Sequence, residues 1–279
     1  MKVMIMKDLA DLHLHSTYSD GVYSPHELAA MAKAAGITVL ALTDHDTLKG
    51  IPEMQAAAAA SSIGFIPGVE FSTRWEEHQV HVLGYGIDLN NKLLLDKLDF
   101  VRNIRRDRLR KILFRLHEMG MDVDVPVPEE GHRAVGRPHI ARAMVSQGYV
   151  ETVQEAFDKY IGEGKPAYQP QTKMTPPEAV YIIHQAGGIA IQAHPEEIGD
   201  RSLVFRLLDE LPYDGIEVYH PSARDRQTET FWMNTANQRE LLITGGSDFH
   251  GNPGRFPETL PEWPVKREKV QDFLRRFGL

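Results

Sequence analysis

Histidines and carboxylates recur along this sequence at spacings that suit a divalent metal ion. The stretch DLHLHSTYSDG, residues 11–21, places His13 and His15 two positions apart. Residues with this spacing point to the same face of a β-strand, so both imidazoles could bind one ion. An isolated pair is also compatible with a half-buried strand whose histidines do no chemistry. The rest of the chain decides between these two interpretations.

Further polar residues lie at or beside the ends of other apolar segments. They are His45, Glu70, His81, His194, Asp248 and His250. Buried polar groups must be paired, so packing alone does not explain their recurrence at one segment after another. Divalent metal would satisfy them. Because the sequence contains no cysteine, any such metal would be bound by nitrogen and oxygen.

Short apolar segments that alternate with helices would position these residues. Seven segments have the composition of buried strands: KDLADLH, ITVLALTDH, GFIPGVE, VHVLGYGI, GIAIQAH, GIEVYH and LLITGGSDFH. Capping signals at Ser24 to Glu27 and at Thr175 to Glu178 begin two of the helices between them. The alternation predicts a parallel α/β barrel, in which sites form at the carboxyl ends of the strands.

Residues 88–170 interrupt this pattern. A long amphipathic helix, KLLLDKLDFVRNIRRDRLRKILFRLHEMG, is followed by two shorter ones, RPHIARAMVSQG and TVQEAFDKYIG. We therefore expect a helical insertion, with the barrel formed by residues 1–87 and 171–279. Positions 92–115 contain nine Lys or Arg against three Asp. This excess predicts either a solvated helix face or a wall that faces phosphate.

Composition limits the classes of function. The chain of 279 residues is 42% hydrophobic and 25% charged, which is typical of one large globular domain or of a domain with an insertion. The net charge of -8 argues against broad nonspecific binding to nucleic acid. Apolar runs are too short to span a bilayer, and the first residues lack the features of a signal peptide. We expect a soluble cytoplasmic protein with no membrane partner and no evident stable protein partner.

Together, the motifs DLHLHSTYSDG, TDHDT, PGVEFS, HVLGYGID, AHP and GSDFH resemble the polymerase and histidinol phosphatase (PHP) family. The resemblance implies an α/β fold similar to that of amidohydrolases, a distorted seven-stranded (β/α) barrel, here with a small helical insertion. Within the insertion, GRPHIAR and GKPAYQP resemble the TrpH-like phosphoesterases. That subgroup includes a nucleoside 3',5'-bisphosphate phosphatase and a 5'-to-3' exoribonuclease.

The resemblance also implies two or three divalent ions. The first set of ligands would be His13, His15, Glu70 and Asp248. The second would be Glu70, His81 and His194. The third would be Asp20, His45 and His250. Some members of the family have His where Asp20 stands, which makes the third ion the least secure. Manganese is the expected metal, with iron and zinc as alternatives, because all three suit nitrogen and oxygen ligands.

The implied reaction is hydrolysis of a phosphate ester by metal-activated hydroxide, without a serine nucleophile. The expected catalytic residues are His194, His250 and Asp248. The leaving oxygen would take its proton from His194, His250 or a metal-bound water. Two acidic residues flank His45: we expect Asp44 to orient its ring and Asp46 to cap the following helix.

Five residues of the insertion are predicted to bind substrate: Arg137, His139, Arg142, Lys165 and Tyr168. Pro138 suits the first position of a helix, so Arg137 would lie at a helix N-terminus, where an anion is favoured. The first three of the five could clamp a phosphate, although Arg142 could equally be an ordinary surface residue. Lys165 and Tyr168 would add a charge and an aromatic face for a base.

These observations favour a phosphoesterase that acts on a nucleotide or a short RNA. It would remove the 3'-phosphate of a nucleoside 3',5'-bisphosphate, shorten RNA from its 5' end, or do both. One alternative is a phosphatase for a small molecule such as histidinol phosphate, which the basic and aromatic insertion disfavours. A second alternative is a metal-binding module without catalytic activity, which the complete set of ligand positions disfavours.

Overall fold

The structure is a computed structural model that describes residues 8–125, 136–170 and 174–279. Lys7, the first residue of the first predicted strand, and positions 126–135 of the predicted insertion lie outside the described residues. One mixed sheet forms the centre of the fold. Its strands are β1 Leu9–Asp11, β2 Ile37–Leu42, β3 Gly64–Trp75, β4 His78–Tyr85, β5 Ile189–Gln192, β6 Gly215–Tyr219, β7 Leu242–Gly245 and β8 Val265–Lys266.

The sheet has the order β7-β6-β5-β4-β3-β2-β1-β8. The seven predicted strands are present, and the two-residue β8 pairs antiparallel with β1. The expectation of an entirely parallel barrel was wrong for β4, which runs antiparallel to both β3 and β5. The cause is the two-residue turn Glu76-Glu77, since so short a connection can join only antiparallel strands.

The two ends of the series of parallel strands approach each other and nearly close the barrel. Beyond β1, the backbone N–H of Leu12 donates to the carbonyl of Gly245 over 3.2 Å. Leu14 then forms a parallel bridge with Phe249, beyond β7. This seam places His13 and His15 beside the residues that follow the last parallel strand.

Nine α-helices are present in the described part of the chain. They are α1 Pro25–Ala35, α2 Ile51–Ser61, α3 Lys92–Glu118, α4 Arg137–Ser146, α5 Val153–Ala156, α6 Pro176–Gln185, α7 Arg201–Glu210, α8 Arg226–Gln238 and α9 Gln271–Leu274. The capping boxes predicted at Ser24 and Thr175 are confirmed at the starts of α1 and α6. Among the described helices, none is both long and apolar enough to cross a membrane.

Helix α3 contributes to two separate hydrophobic clusters. Its first half packs Leu94, Leu98 and Val101 into the barrel core. Its second half, with α4, α5 and a π-helical turn at Phe157–Ile161, forms a smaller cluster. Buried members of the smaller cluster include Leu109, Ile112, Leu116, Ile140, Met144 and Ile161. One continuous helix therefore fixes the position of the smaller cluster relative to the barrel.

Leu116→Ala should destabilise the protein by about 2 to 5 kcal/mol, because Leu116 is fully buried in the smaller cluster and its truncation leaves a cavity. The free energy of unfolding in urea measures this loss. Phe114→Ala is the matched control, since Phe114 lies on the same helix and is 62% exposed. Equal destabilisation by the two variants would contradict the assignment of the cluster.

Candidate metal centre

The carboxylate of Glu70, on β3, is surrounded by five histidine rings. Its Oε2 lies 3.1 to 3.2 Å from ring nitrogens of His13, His15 and His45. Its Oε1 lies 2.7 Å from His81 Nδ1 and 3.0 Å from His194 Nε2. The two oxygens of one carboxylate therefore face two different groups of imidazoles.

Electrostatics keep the Glu70 carboxyl ionised. Burial alone would raise its pKa, but the surrounding imidazoles, chiefly His45, His13 and His81, hold that pKa well below its usual value. An ionised carboxylate with two outward oxygens can contact two cations at once. Glu70 is thus suited to bridge two ions.

Around Oε2, the first predicted set of ligands is assembled. Asp248 Oδ1 lies 3.0 Å from His15 Nε2 and 3.4 Å from His13 Nε2. These three residues and Glu70 each offer one ligand atom, and all four atoms lie within 4.8 Å of one another. The backbone at position 246 packs closely against the backbone at His13. A glycine is required at position 246, because a Cβ there would lie 2.4 Å from the backbone nitrogen of His13.

The third predicted set lies beside the first. Asp20 Oδ1 is 3.2 Å from His250 Nε2 and 4.0 Å from His45 Nε2. His15 joins these three residues in a second group whose ligand atoms lie within 4.8 Å of one another. Although burial would raise it, the pKa of Asp20 is held well below its usual value by His250 and His45. His250 donates Nδ1–H to the carbonyl of Asp248 over 2.7 Å, which leaves Nε2 as its lone-pair nitrogen.

The second predicted set meets at Oε1 of Glu70. His81 and His194 each contact this oxygen, and their rings lie edge to face with centroids 5.1 Å apart. A group of ligand atoms within 4.8 Å also joins His45 to Glu70 and His81. All nine residues predicted as metal ligands are therefore brought together at one rim of the barrel.

The donors fit divalent cations. Three buried atoms of the cluster, His15 Nε2, Asp20 Oδ1 and His250 Nε2, lie close to oppositely charged groups but form no hydrogen bond of suitable geometry within the described part of the chain. Buried polar atoms without partners are costly, and a cation would satisfy them. The nitrogen and oxygen donors are those that manganese, iron and zinc accept.

Two functional candidates on β6 and just beyond it were missed from the sequence. Glu217 Oε1 accepts from His13 Nδ1 over 2.9 Å, and its Oε2 accepts from the backbone N–H of His194 over 2.9 Å. Glu217 thereby directs His13 Nε2 toward Glu70, as carboxylates beside metal-ligating histidines commonly do. His220 Nε2 lies 3.6 Å from Asp248 Oδ2. The segment GIEVYH showed the signal, an acid and a histidine at the end of a strand.

The expected role of Asp44 was wrong, because its carboxylate is used to hold a loop rather than to orient a ring. It accepts from the backbone N–H and the hydroxyl of Ser16, each over 2.7 Å, and from the hydroxyl of Ser19 over 2.6 Å. Asp44 therefore fixes the loop that connects His15 to Asp20.

The expected cap at Asp46 was also wrong, since the N-cap of α2 is Gly50. Asp46 instead accepts from the backbone N–H of Ser72 over 3.0 Å and forms an ion pair with Arg105 of α3. Arg105 also donates to the Ser72 hydroxyl over 2.7 Å. This buried contact fastens the long helix to the rim of the barrel.

A cavity of about 150 Å³, which we call the insertion-side cavity, lies between the metal centre and the insertion. Its lining includes Asp20, His45 and His81 from the rim, and Arg105, Arg108 and Arg137 from helices α3 and α4. The guanidinium of Arg137 lies 5.5 Å from the Phe157 ring and 5.7 Å from the Tyr168 ring. Arg137, which was predicted to bind substrate, therefore lines the cavity. Tyr168 does not line the cavity but contacts the guanidinium of Arg137 through its ring.

Two other predicted substrate residues connect α4 to the metal-binding loops. His139 Nδ1 accepts from the backbone N–H of Gly136 over 3.1 Å, and its ring hydrogen-bonds the backbone of Ser19. Burial lowers the pKa of His139 to about 4, so the ring is neutral. Arg142 donates to the carbonyl of Asp20 over 2.9 Å and to the side chain of Asn252 over 2.8 Å.

The remaining predicted substrate residue, Lys165, lies on an exposed turn and is not part of the cavity lining. Its backbone N–H donates to the carbonyl of Gly162, and its carbonyl accepts from Tyr168. Lys165 thus lies three residues before Tyr168 in the chain and is exposed.

The sequence and the fold of this chain are similar to those of known proteins. Residues 11–160 match the PHP domain family. A 5'-3' exoribonuclease from Haemophilus influenzae is 38% identical over 251 residues, which covers 86% of this chain and 89% of the relative. A 3',5'-nucleoside bisphosphate phosphatase from Chromobacterium violaceum is 35% identical over 285 aligned positions, with 95% and 98% covered. A solved Bifidobacterium adolescentis structure, assigned to the metal-dependent phosphoesterases, is 27% identical with a TM-score of 0.82 and 96% of each chain covered.

Glu70→Gln should lower metal content and abolish turnover together, because the amide removes the charge and one of the two acceptor oxygens at the bridging position. Asp20→Asn should mainly affect the ion nearest Asp20. Elemental analysis of the purified variants checks both expectations. Glu77→Gln, an exposed change in the turn between β3 and β4, is the control. Full metal content in Glu70→Gln would rule out the bridging role.

Proposed function

This chain belongs to the PHP family, and from that membership we propose that it is a metal-dependent phosphoesterase acting on nucleotides. It would remove the 3'-phosphate from nucleoside 3',5'-bisphosphates and shorten RNA from its 5' end. The observation that carries the proposal is the position of the histidine and carboxylate centre, which opens directly onto a cavity lined by arginine. Relatives with these two activities cover most of the chain.

The nine clustered residues would hold two or three divalent ions, with manganese expected. When bound, such ions provide a nucleophile from water at neutral pH and stabilise the charge of the phosphoryl group. The chain contributes the geometry. Glu70 presents one oxygen to each of two histidine groups, and Glu217 keeps His13 in the orientation that this requires. Catalytic roles for His194, His250 and Asp248 remain predictions, supported by their place in the cluster.

The insertion-side cavity supports a substrate that has a second phosphate. Arg108 and Arg137 both line it, and both guanidinium groups lie over the ring of Tyr168, at 5.4 and 5.7 Å. Planar guanidinium groups held in this way suit bidentate recognition of phosphate. Histidinol phosphate has a single phosphate, which the candidate metal centre would bind, so it would have no second phosphate for the arginines of the cavity. The cavity therefore favours the nucleotide over that alternative.

A substrate screen tests the proposed function. The manganese-loaded protein should release phosphate from a nucleoside 3',5'-bisphosphate and nucleoside 5'-monophosphate from a short 5'-phosphorylated RNA. Chromatography of the products distinguishes these reactions. Activity on histidinol phosphate alone would support the small-molecule alternative. Absence of activity on all three substrates would support the metal-binding module.

Arg137→Ala should lower kcat/KM for a 3',5'-bisphosphate by roughly 10- to 100-fold, because a charge-assisted contact to phosphate contributes about 1.5 to 3 kcal/mol. Lys165→Ala should lower it less, because Lys165 lies on an exposed turn outside the cavity lining. Hydrolysis of p-nitrophenyl phosphate should change little, since that ester has no second phosphate. Arg110→Ala, an exposed change on α3, is the control. Equal losses on both esters would mean that these residues act through the metal centre or the fold.

A further inference from the structure

A second cavity, of about 240 Å³, adjoins the metal centre on the half of the rim away from the insertion. We call it the far cavity. Its lining residues lie in the segments that come after β5, β6 and β7 in the sequence. They include Glu197, His220, Ser222, Arg224, Arg255 and Phe256. The rim residues of the insertion-side cavity belong instead to the segments around β1, β2, β3 and β4. The two cavities therefore lie on opposite halves of the barrel rim.

Asp248 connects the far cavity to the metal centre. Its Oδ1 lies 3.0 Å from His15 Nε2 inside the cluster, whereas its Oδ2 accepts from Arg255 over 2.6 Å in the cavity wall. His45 and His81 connect the cluster to the insertion-side cavity in the same way. A phosphate bound at the cluster would thus have space for a substituent on each side.

The far cavity has the chemistry of a nucleotide subsite. The guanidinium of Arg224 lies 4.5 Å from the centroid of the Phe256 ring, and Nε of Arg224 donates to the carbonyl of Pro221 over 3.0 Å. Phe256 is 38% exposed, so this platform is accessible. Unstacked bases bind to aromatic rings and to guanidinium planes of this kind.

Two polar groups of the wall complete the subsite. Arg255 supplies a positive charge beside Asp248. The buried Nε2 of His220 has no hydrogen-bond partner within the described residues. Among the described residues that line the cavity, one negative group is present besides Asp248: the carboxylate of Glu197, which lies 3.5 Å from His194 Nδ1. The wall can therefore accept both a base and the sugar-phosphate backbone.

We propose that the far cavity binds the nucleotide that follows the scissile phosphate in an RNA substrate. This inference rests on the proposed function. In both proposed reactions water adds to phosphorus, the bond from phosphorus to the 3'-oxygen breaks, and that oxygen takes a proton. A 3',5'-bisphosphate has nothing beyond its 3'-phosphate, whereas RNA continues there. The downstream fragment keeps the phosphate on its 5' end, so only RNA uses the far cavity.

The test compares two substrates that differ only beyond the scissile phosphate: a nucleoside 3',5'-bisphosphate and a 5'-phosphorylated tetranucleotide RNA with the same first nucleotide. For Arg224→Ala and Phe256→Ala, the ratio of kcat/KM for RNA to kcat/KM for the bisphosphate should fall roughly 10-fold or more, because a stacking partner is lost. Phe256→Tyr keeps the ring and should keep the ratio. Arg226→Ala, an exposed change two residues from Arg224 and outside the cavity, is the matched control.

Binding of the same tetranucleotide, labelled at its 3' end and measured by fluorescence anisotropy in EDTA, gives a readout without turnover. Phe256→Ala should weaken this binding, whereas Arg226→Ala should not. An unchanged ratio in both alanine variants would overturn the inference, as would wild-type protein that hydrolyses the bisphosphate but not RNA. Wild-type protein that hydrolyses neither substrate would instead overturn the proposed function.

Discussion

The contact between one buried carboxylate and five imidazoles is the interaction on which the rest of this structure depends. Glu70 is 1% exposed, and an isolated ionised carboxylate in such a position would be strongly destabilising. Its partners come from the segments around β1, β2, β4 and β5, the strands on either side of β3 in the sheet, so these five strands must assemble before the charge is compensated. The same requirement explains why the centre lies at the rim, where the ends of several strands converge.

The antiparallel direction of β4 brings one of the five histidines to Glu70. His81 lies near the start of β4, and it reaches the rim only because the strand runs opposite to its neighbours. A parallel strand would have put its beginning at the other end of the barrel. The turn Glu76-Glu77 thus decides which end of β4 joins the metal centre.

Contacts of helices α3 and α4 with the rim link the loops of the candidate metal centre to the walls of the insertion-side cavity. Arg105 of α3 pairs with Asp46, one residue beyond His45, and Arg142 of α4 holds the carbonyl of Asp20. Helices that line the insertion-side cavity therefore also fix the loops that contain predicted metal ligands. We interpret these helices as part of the support of the candidate metal centre. The same contacts would then set the positions of the predicted metal ligands and of the residues predicted to bind substrate.

Seven main strands, the capping boxes of α1 and α6 and the nine polar residues of the rim could be predicted from the sequence, because they depend on local patterns and on recognisable motifs. Spacing could not show that Asp46 pairs with Arg105 or that Glu217 orients His13, since those partners are 59 and 204 residues apart. It also could not separate Arg137, which faces the insertion-side cavity, from Arg142, which ties two loops together. These roles became visible in the folded protein, because the packing of elements that are distant in sequence sets the partner of a polar side chain.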